Sequence, residues 1–419
     1  MKVFKFGGAS VKDTDSVRNV ASVLKHFLNE NIIIVVSAMG KTTNALEKLT
    51  NAYFFRNENP QIILEEIKKY HFGIIKVLFP DSSHSVYSNI EKVFQEMEKR
   101  ISRMPSDNYN KEYDQIVSQG EIISTKIVSA YLNETGINNK WLNVQEIIKT
   151  DNTWREGKVN WNLTEKLVRE HFDKNKSDII LTQGFLGGTS DNFTTTLGRE
   201  GSDYTSAVLA FCTNAESVTI WKDVPGVMNA DPKWFDETKL IAQMSYQDAI
   251  ELSYYGATVI HPKTIKPLQN KKIPLYVKSF LHPDEKGTVI NDQQSPLPIP
   301  CFIFKVNQIL LSISPKDFSF IVEENFSDIF KTFAEHQVKI NVMQNSAISF
   351  SVCLDNDEKK IPELIRTLQK IFRVLYNENL ELITIRYYNQ LTIDRVCIGK
   401  KVFLEHKSRY TVQLVVKNI

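Results

Sequence analysis

The chain has 419 residues, 51 Lys and Arg against 49 Asp and Glu, a formal charge of +2 and 42% hydrophobic residues. That length holds two or three domains with cores of their own. The near-neutral balance excludes a broad field for nucleic acid or an anionic membrane surface, so any anion must be gripped locally.

From the N-terminus, Lys2 to Phe6 reads as a short strand ending in Gly7-Gly8-Ala9-Ser10, and Val17, Val20, Ala21, Leu24, Phe27 and Leu28 follow at helical spacing. Ile32 to Val36 is apolar on both faces, as a parallel strand covered above and below must be. The turn Ser37-Ala38-Met39-Gly40 follows it, and another helical stretch begins near Asn44. A long helical region covers Ile62 to Phe79 and Val86 to Ile101, and a third stretch runs from about Tyr113 to Glu134 and closes at Gly136. Asp178 to Thr182 leads into Gly184-Phe185-Leu186-Gly187-Gly188, and Ser217 to Trp221 leads into Lys222-Asp223-Val224-Pro225-Gly226. Strand, turn and helix alternating in this way predict a mostly parallel sheet with helices on both faces. In such sheets ligands sit at the carboxyl ends of the strands, where these turns lie.

The proline-rich segment Ser295 to Pro300 cannot join a central strand and reads as an extended linker. Beyond it the pattern changes. Gln308 to Ile313 reads as a strand, Phe326, Ile329, Phe330 and Phe333 as a helix face, and Val338 to Met343 as a strand. Ile348, Phe350, Val352 and Leu354 alternate as a half-buried strand, and Leu364, Ile365, Leu368 and Phe372 form a second helix face. These elements describe a small α+β module with an antiparallel sheet. Strands near Leu380 to Tyr388, Ile393 to Ile398 and Tyr410 to Val416 finish the chain, with no clear helix among them.

Cys212, Cys301, Cys353 and Cys397 lie far apart, without a CxxC or a neighbouring His at zinc-finger spacing, which argues against disulfides and structural zinc. No apolar run is long enough to span a bilayer. Met1 to Phe6 meets glycines too early for the apolar core of a secretion signal, so a cytoplasmic protein with reduced thiols is expected.

Lys5-Phe6-Gly7-Gly8 sets a lysine at a strand end beside two glycines that let backbone N–H groups approach an anion; an ordinary tight turn looks the same. Gly198-Arg199-Glu200-Gly201-Ser202-Asp203 packs an arginine and two carboxylates around two glycines, just before the helix face Tyr204, Ala207, Val208 and Phe211. Arg199 there suits a carboxylate or phosphate, gripped through two parallel hydrogen bonds. Asp203 also suits a helix N-cap, which leaves Arg199 unexplained. Gly120-Glu121 falls inside a helical pattern, where a glycine costs about 1 kcal/mol relative to alanine, so something close-packed requires it. Glu121 by itself also fits a solvated helix face.

The ordered set Lys5-Phe6-Gly7-Gly8-Ala9-Ser10, Val36-Ser37-Ala38-Met39-Gly40-Lys41-Thr42-Thr43-Asn44, Thr195-Thr196-Leu197-Gly198-Arg199-Glu200-Gly201-Ser202-Asp203-Tyr204, Asp223-Val224-Pro225-Gly226 and Tyr255-Gly256-Ala257-Thr258-Val259-Ile260-His261-Pro262 closely resembles the aspartokinases. The resemblance runs from residue 1 to about 290. It implies an amino-acid kinase fold over 1–293, a three-layer α/β/α sandwich with a mainly parallel sheet. An ACT-like, ferredoxin-like α+β region over 301–419 would follow, regulatory and dimerising, with an incomplete second ACT unit.

The implied reaction is transfer of the ATP γ-phosphoryl group to the side-chain carboxylate of L-aspartate, an early step in making lysine, threonine and methionine. That acceptor is already ionised at neutral pH, so no general base is needed and catalysis rests on positioning and positive charge. By resemblance Lys5, Gly7, Gly8 and Asp203 are catalytic. Thr43, Glu121, Arg199 and Asp203 bind aspartate, with Arg199 on its α-carboxylate and Glu121 and Asp203 on its α-ammonium. Lys5, Gly8, Ser37, Lys222, Asp223, Met228, Lys233 and Val259 match nucleotide-contacting positions. Magnesium is expected on the nucleotide phosphates, with no ligand set of the protein's own.

Many relatives carry Thr in place of Lys222 and Lys in place of Thr258, so a phosphate-facing cation has moved, to Lys222 or to Lys263. His261, beside Pro262 and without an orienting carboxylate, is expected to be structural. Near the C-terminus, Val338 to Ser346 resembles the strand and loop where relatives receive an inhibitory amino acid. Asn341 and Ala347 replace acidic residues there, and the loop around Lys316-Asp317-Phe318 is short. Feedback by lysine or threonine is therefore expected to be altered or absent, in a homodimer paired through this region. The rival readings are a glutamate or N-acetylglutamate kinase, which would lack the TTLGRxGSD and DVPG pair, and a non-catalytic amino-acid sensor.

Overall fold

The computed structural model describes residues 1–174, 179–235, 237–257, 260–295, 298–317 and 319–419, apart from the side chains of 173 and 174. Thr258, Val259 and Phe318, which the sequence singled out, and two residues of the proline-rich segment lie outside them. The chain divides into two compact units, Met1–Val227 with Leu240–Ile250 and Val259–Ser295, and Met228–Lys239 with Glu251–Thr258 and Pro296–Ile419. No helix among the described residues is long and apolar enough to cross a membrane.

In the first unit the strands are β1 (Lys2–Phe6), β2 (Ile32–Val36), β3 (Asn139–Leu142), β4 (Ile179–Gln183), β5 (Leu186–Gly188), β6 (Thr194–Thr196), β7 (Ser217–Lys222), β8 (Gln243–Ser245), β9 (Leu275–Ser279) and β10 (Thr288–Asn291). Among the described residues an eight-stranded sheet runs β3-β4-β2-β1-β7-β9-β10-β8, and β5 and β6 form a separate hairpin. All its pairings are parallel except β9 with β10. β1, β2, β4 and β7, legible as strand-turn units, occupy its middle.

Side chains alternate along a strand. Phe4 and Phe6 therefore enter one apolar core with Val17, Val20, Leu24, Ile123 and Ile127, while Lys5 points to the opposite face. There the helix Gly201–Thr213 lies on β1, β2 and β7, buried almost all round. At the carboxyl ends of β1 and β2 the two turns lock together, with Gly40 N–H donating to the Gly8 carbonyl at 3.0 Å.

Three local expectations are corrected. The stretch Tyr113 to Glu134 is two helices, Tyr109–Val117 and Gln119–Glu134, which break at Ser118. Gly120 accordingly stands near the start of a helix rather than within one. The close packing inferred for it is present, since a Cβ would meet Leu46 Cδ1 at 2.9 Å and Ala38 Cβ at 3.2 Å. Asp203 is no N-cap: the helix begins at Gly201 after Glu200, whose φ of 52° is left-handed.

In the second unit β11 (Cys301–Pro315), β12 (Ile340–Asn345), β13 (Phe350–Asp355), β14 (Phe372–Arg386), β15 (Lys400–Lys407) and β16 (Thr411–Asn418) form an antiparallel sheet ordered β12-β13-β11-β14-β16-β15. Strand β12 begins two residues later than read. Helices Glu323–Glu335 and Ile361–Ile371 cover Ile309, Leu311, Ile313, Val352 and Leu354, which gives β11 to β14 the βαββαβ order of a ferredoxin-like module. The tail departs from expectation. Ile393 to Ile398 is not a strand; Gln390–Cys397 is a helix capped by Asn389, and its Ile393 and Val396 pack on Ile383, Ile385, Val412 and Leu414. With only two buried positions one turn apart, the pattern is too brief to separate helix from strand.

Gly8 and Gly120 make contrasting predictions. A methyl on Gly8 would stand 2.9 Å from the carbonyls of Ala38 and Gly40, backbone that cannot retreat. Gly8→Ala is expected to cost about 1–3 kcal/mol in urea unfolding. Gly120→Ala should cost less, because Leu46 Cδ1 is the end of a flexible side chain and alanine favours the helix by about 1 kcal/mol.

Candidate active site

The carboxyl ends of β1, β2 and β7 open into a cavity of about 790 Å³ lined by Lys5, Ser37, Thr43, Glu121, Arg199, Asp203 and Lys222, together with Tyr113, Trp154, Arg155, Glu156, Phe185 and Thr196. Lys5 is 9% and Asp203 3% exposed. Lys5 Nζ lies 2.5 Å from Asp203 Oδ1. Strand alternation delivers the lysine, and the first turn of the helix Gly201–Thr213 delivers the carboxylate, near the positive end of the helix dipole.

Glu121 is 2% exposed and comes from the first turn of the helix Gln119–Glu134. Its Oε1 accepts Ala38 N–H at 3.3 Å, whereas Oε2 is buried with no hydrogen-bond partner. Burial pushes its carboxyl up to about 8, against the smaller opposing pull of the Ala38 N–H. A buried carboxylate oxygen left unpaired on a cavity wall is a site for a cation or a hydrogen-bond donor.

Arg199 is presented by an unusual turn. Gly198 at φ 76° and Glu200 at φ 52° flank it in left-handed backbone, and Glu200 Oε2 accepts His261 N–H at 2.8 Å. Among the described residues its guanidinium has no ion-pair partner. His261 caps the helix Pro262–Asn270, its Nδ1 accepting Lys263 N–H. Lys263 donates to the Leu197 carbonyl at 3.0 Å and stands 4.7 Å over the Tyr204 ring, while burial pulls its ammonium down. Of the two lysines weighed as the relocated cation, Lys222 lines the cavity and Lys263 is committed elsewhere.

Gly7 and Gly8 supply the turn after β1 and Asp223 follows β7. Met228 and Lys233 fall in the second unit, and Val259 is outside the described residues. Sequence reasoning missed the loop 151–157 and the end of the helix Tyr109–Val117. Asp114, pushed up to about 6 by burial, accepts from Arg155 N–H at 2.9 Å and Thr196 Oγ1 at 2.7 Å. Gln115 grips both backbone groups of Thr194. The run Trp154-Arg155-Glu156-Gly157 after an Asp-Asn turn was the available signal.

The sequence profile of the amino acid kinase family matches residues 1–279, and the chain belongs to that family. It is similar to lysine-sensitive aspartokinase 3 of Escherichia coli (strain K12), with 28% identity over 413 residues, 96% of this chain and 90% of that protein. It is 28% identical over 386 residues to bifunctional aspartokinase/homoserine dehydrogenase 2, chloroplastic, of Arabidopsis thaliana; there the match takes 88% of this chain but spans only 42% of the relative. The crystal structure of E. coli aspartokinase III in complex with aspartate and ADP superposes with a TM-score of 0.82 at 24% identity, over 99% of this chain and 96% of that one. That likeness establishes the fold, an α/β/α kinase sandwich and an ACT-like α+β unit.

The buried carboxyl of Glu121 has a measurable consequence. Between about 4.5, its ordinary value, and about 8 the folded chain holds a proton that the unfolded chain has released. Its contribution to stability is therefore complete below 4.5 and is lost as pH rises through that window. Urea denaturation at pH 5 and pH 8 should show a smaller drop in Glu121→Gln than in wild type; equal drops would contradict this environment.

Proposed function

We propose that the chain is an aspartate kinase, transferring the γ-phosphoryl group of ATP to the side-chain carboxylate of L-aspartate and releasing 4-phospho-L-aspartate and ADP. The observation that carries this reading is the orphaned Oε2 of buried Glu121 in the same cavity as Arg199 and Lys5. A buried carboxyl short of one partner would ionise against an α-ammonium that supplies it, and an uncommitted guanidinium suits an α-carboxylate. With both α-substituents held, the side-chain carboxylate is the group left to react. Thr43, on the first turn of the helix Thr42–Phe55, would help to orient it.

The reaction needs no proton removed, so the chain's own contribution is positioning and charge. Lys5, held in place by Asp203, meets the transferring phosphoryl group, and the amides of Gly7 and Gly8 face its oxygens. Ser37, Lys222 and Asp223 belong to the nucleotide end, with Met228, Lys233 and Val259 assigned there by resemblance. Magnesium would be brought by the nucleotide, whose phosphate oxygens supply the hard ligands that this ion prefers.

In an ATP-consumption assay with hydroxylamine as trap, aspartate should give a hydroxamate and glutamate or no acceptor should not. Aspartate-independent turnover would sink the reading. Lys222→Ala should raise KM for ATP or lower kcat about tenfold or more, the scale of one lost phosphate-facing cation. Wild-type kinetics in that variant would refute Lys222 as the relocated cation.

A homodimer is supported by the second unit, where β12 and β15 end the sheet among the described residues and leave edges on which a partner strand could pair. Weakened feedback is supported by Asn341. Its side chain accepts from Lys305 at 2.9 Å and donates to Gln308 and Asp355, leaving little for an effector ammonium. The purified chain should elute as a dimer and keep its activity in sub-millimolar lysine; strong inhibition there would overturn the second point.

A further inference from the structure

The loop 151–157 is fixed at its base. Asp151 Oδ1 accepts from the N–H groups of Thr153 and Lys158, and Gly157 N–H donates to the Thr196 carbonyl at 2.9 Å. Its tip is held differently. Arg155 adopts φ 67°, a left-handed backbone that a side chain larger than Asn rarely takes unless its surroundings enforce it. Those surroundings are three contacts: its N–H donates to Asp114 Oδ2 at 2.9 Å, its guanidinium lies 4.1 Å over the Tyr113 ring, and Nη2 reaches Glu47 Oε1 at 3.4 Å.

Each contact leads back to the cavity. Glu47 sits four residues after Thr43 on the helix Thr42–Phe55, so the two share a face. Asp114 simultaneously holds Thr196, which begins the run ending in Arg199. Arg155 thus joins the side that presents Thr43 to the side that presents Arg199. A planar guanidinium suits this task, because stacking on an aromatic ring and pairing with a carboxylate use different parts of it. Nothing in the phosphoryl transfer as derived above uses it.

We propose that Arg155 is a positioning residue that ties the loop 151–157 to the helix Thr42–Phe55 through Glu47 and so fixes the width of the acceptor end of the cavity. This rests on the aspartate kinase reading, and it makes Arg155 a determinant of which acidic amino acid is accepted. With the tie intact the pocket fits a four-carbon acceptor; released, it opens towards one methylene more.

The test uses steady-state kinetics of the full chain with aspartate and with glutamate. Arg155→Gly removes the guanidinium and relaxes the left-handed backbone. Arg155→Ala removes the guanidinium and retains the backbone strain. Glu47→Gln weakens the tie from its other end and keeps the test available should the loop variants fail to fold. Arg155→Gly and Glu47→Gln are each expected to raise KM for aspartate about tenfold, with kcat and KM for ATP within about twofold of wild type. In Arg155→Gly the ratio of kcat/KM for glutamate to that for aspartate should rise as well. The double variant should be no worse than the more impaired single one, as coupled partners require. Wild-type KM and selectivity in Arg155→Gly with impairment in Arg155→Ala would assign the effect to backbone strain and overturn the proposal, as would additive losses in the double variant. If the wild-type chain ignores aspartate, the functional reading fails. The tie is then judged by amide hydrogen exchange, where Arg155→Gly should speed exchange in residues 42–50 and 151–157, and unchanged exchange there overturns it.

Discussion

A carboxyl group taken fully out of water with one oxygen unmatched is the constraint around which the candidate site is arranged. Glu121 Oε1 accepts the Ala38 N–H, and the loss of hydration outweighs this and the weaker pull of its own backbone N–H. A buried ion without adequate partners is normally avoided by neutralising it, which is what the upward displacement of its carboxyl expresses. The position is reached because the long helical stretch breaks at Ser118 and restarts at Gln119, with Gly120 in its first turn. That glycine lets the new helix come against Ala38 in the turn after β2 and against Thr42 and Leu46 on the helix that follows it. Close packing around a missing side chain and an unsatisfied carboxylate one residue later are thus one device.

Lys5 and Asp203 illustrate the opposite solution. Both are buried, yet each answers the other at 2.5 Å, so neither is left to a ligand alone. Pairs of this kind contribute little net stability, because desolvation cancels most of the attraction. Their value is placement: a lysine held rigidly at the end of a central strand needs no reorganisation when a phosphoryl group arrives. The strand's alternation chose the face, since Phe4 and Phe6 must enter the apolar core on the other side.

Much of this was legible in the residues. β1, β2, β4 and β7 were readable because a short, largely apolar run followed by a turn rich in glycine or small residues has few other interpretations, and Lys5, Glu121, Arg199 and Asp203 converge on one cavity. What escaped lacked periodicity. Arg155 stands in a loop whose shape is set by hydrogen bonds to Asp114 and Thr196, residues 41 positions away or on another strand. The helix Gln390–Cys397 offers only Ile393 and Val396 as buried positions, and its cap is a two-way exchange between Asn389 and Thr392. The break at Ser118 was invisible because Ile116, Ile123 and Ile127 keep helical spacing across it.

The near-zero net charge of the chain acquires a meaning at this point. The cavity wall carries Lys5, Arg155, Arg199 and Lys222 against Glu156, Glu200 and Asp203, with Glu121 held largely neutral by burial, so it has no strong field of either sign. Discrimination must therefore come from where individual charges stand. At about 4 Å a single contact is worth roughly 1 kcal/mol in bulk water but about 4 kcal/mol at the lower effective dielectric of a partly buried site. A zwitterion presenting opposite charges at fixed separation gains from both kinds of wall residue at once, whereas a simple dianion is repelled by half of them. Individually placed charges, of which Lys5, Glu121 and Asp203 are buried, thus favour an amino acid over an inorganic anion, and leave the nucleotide's larger charge to the few cations held at the strand ends.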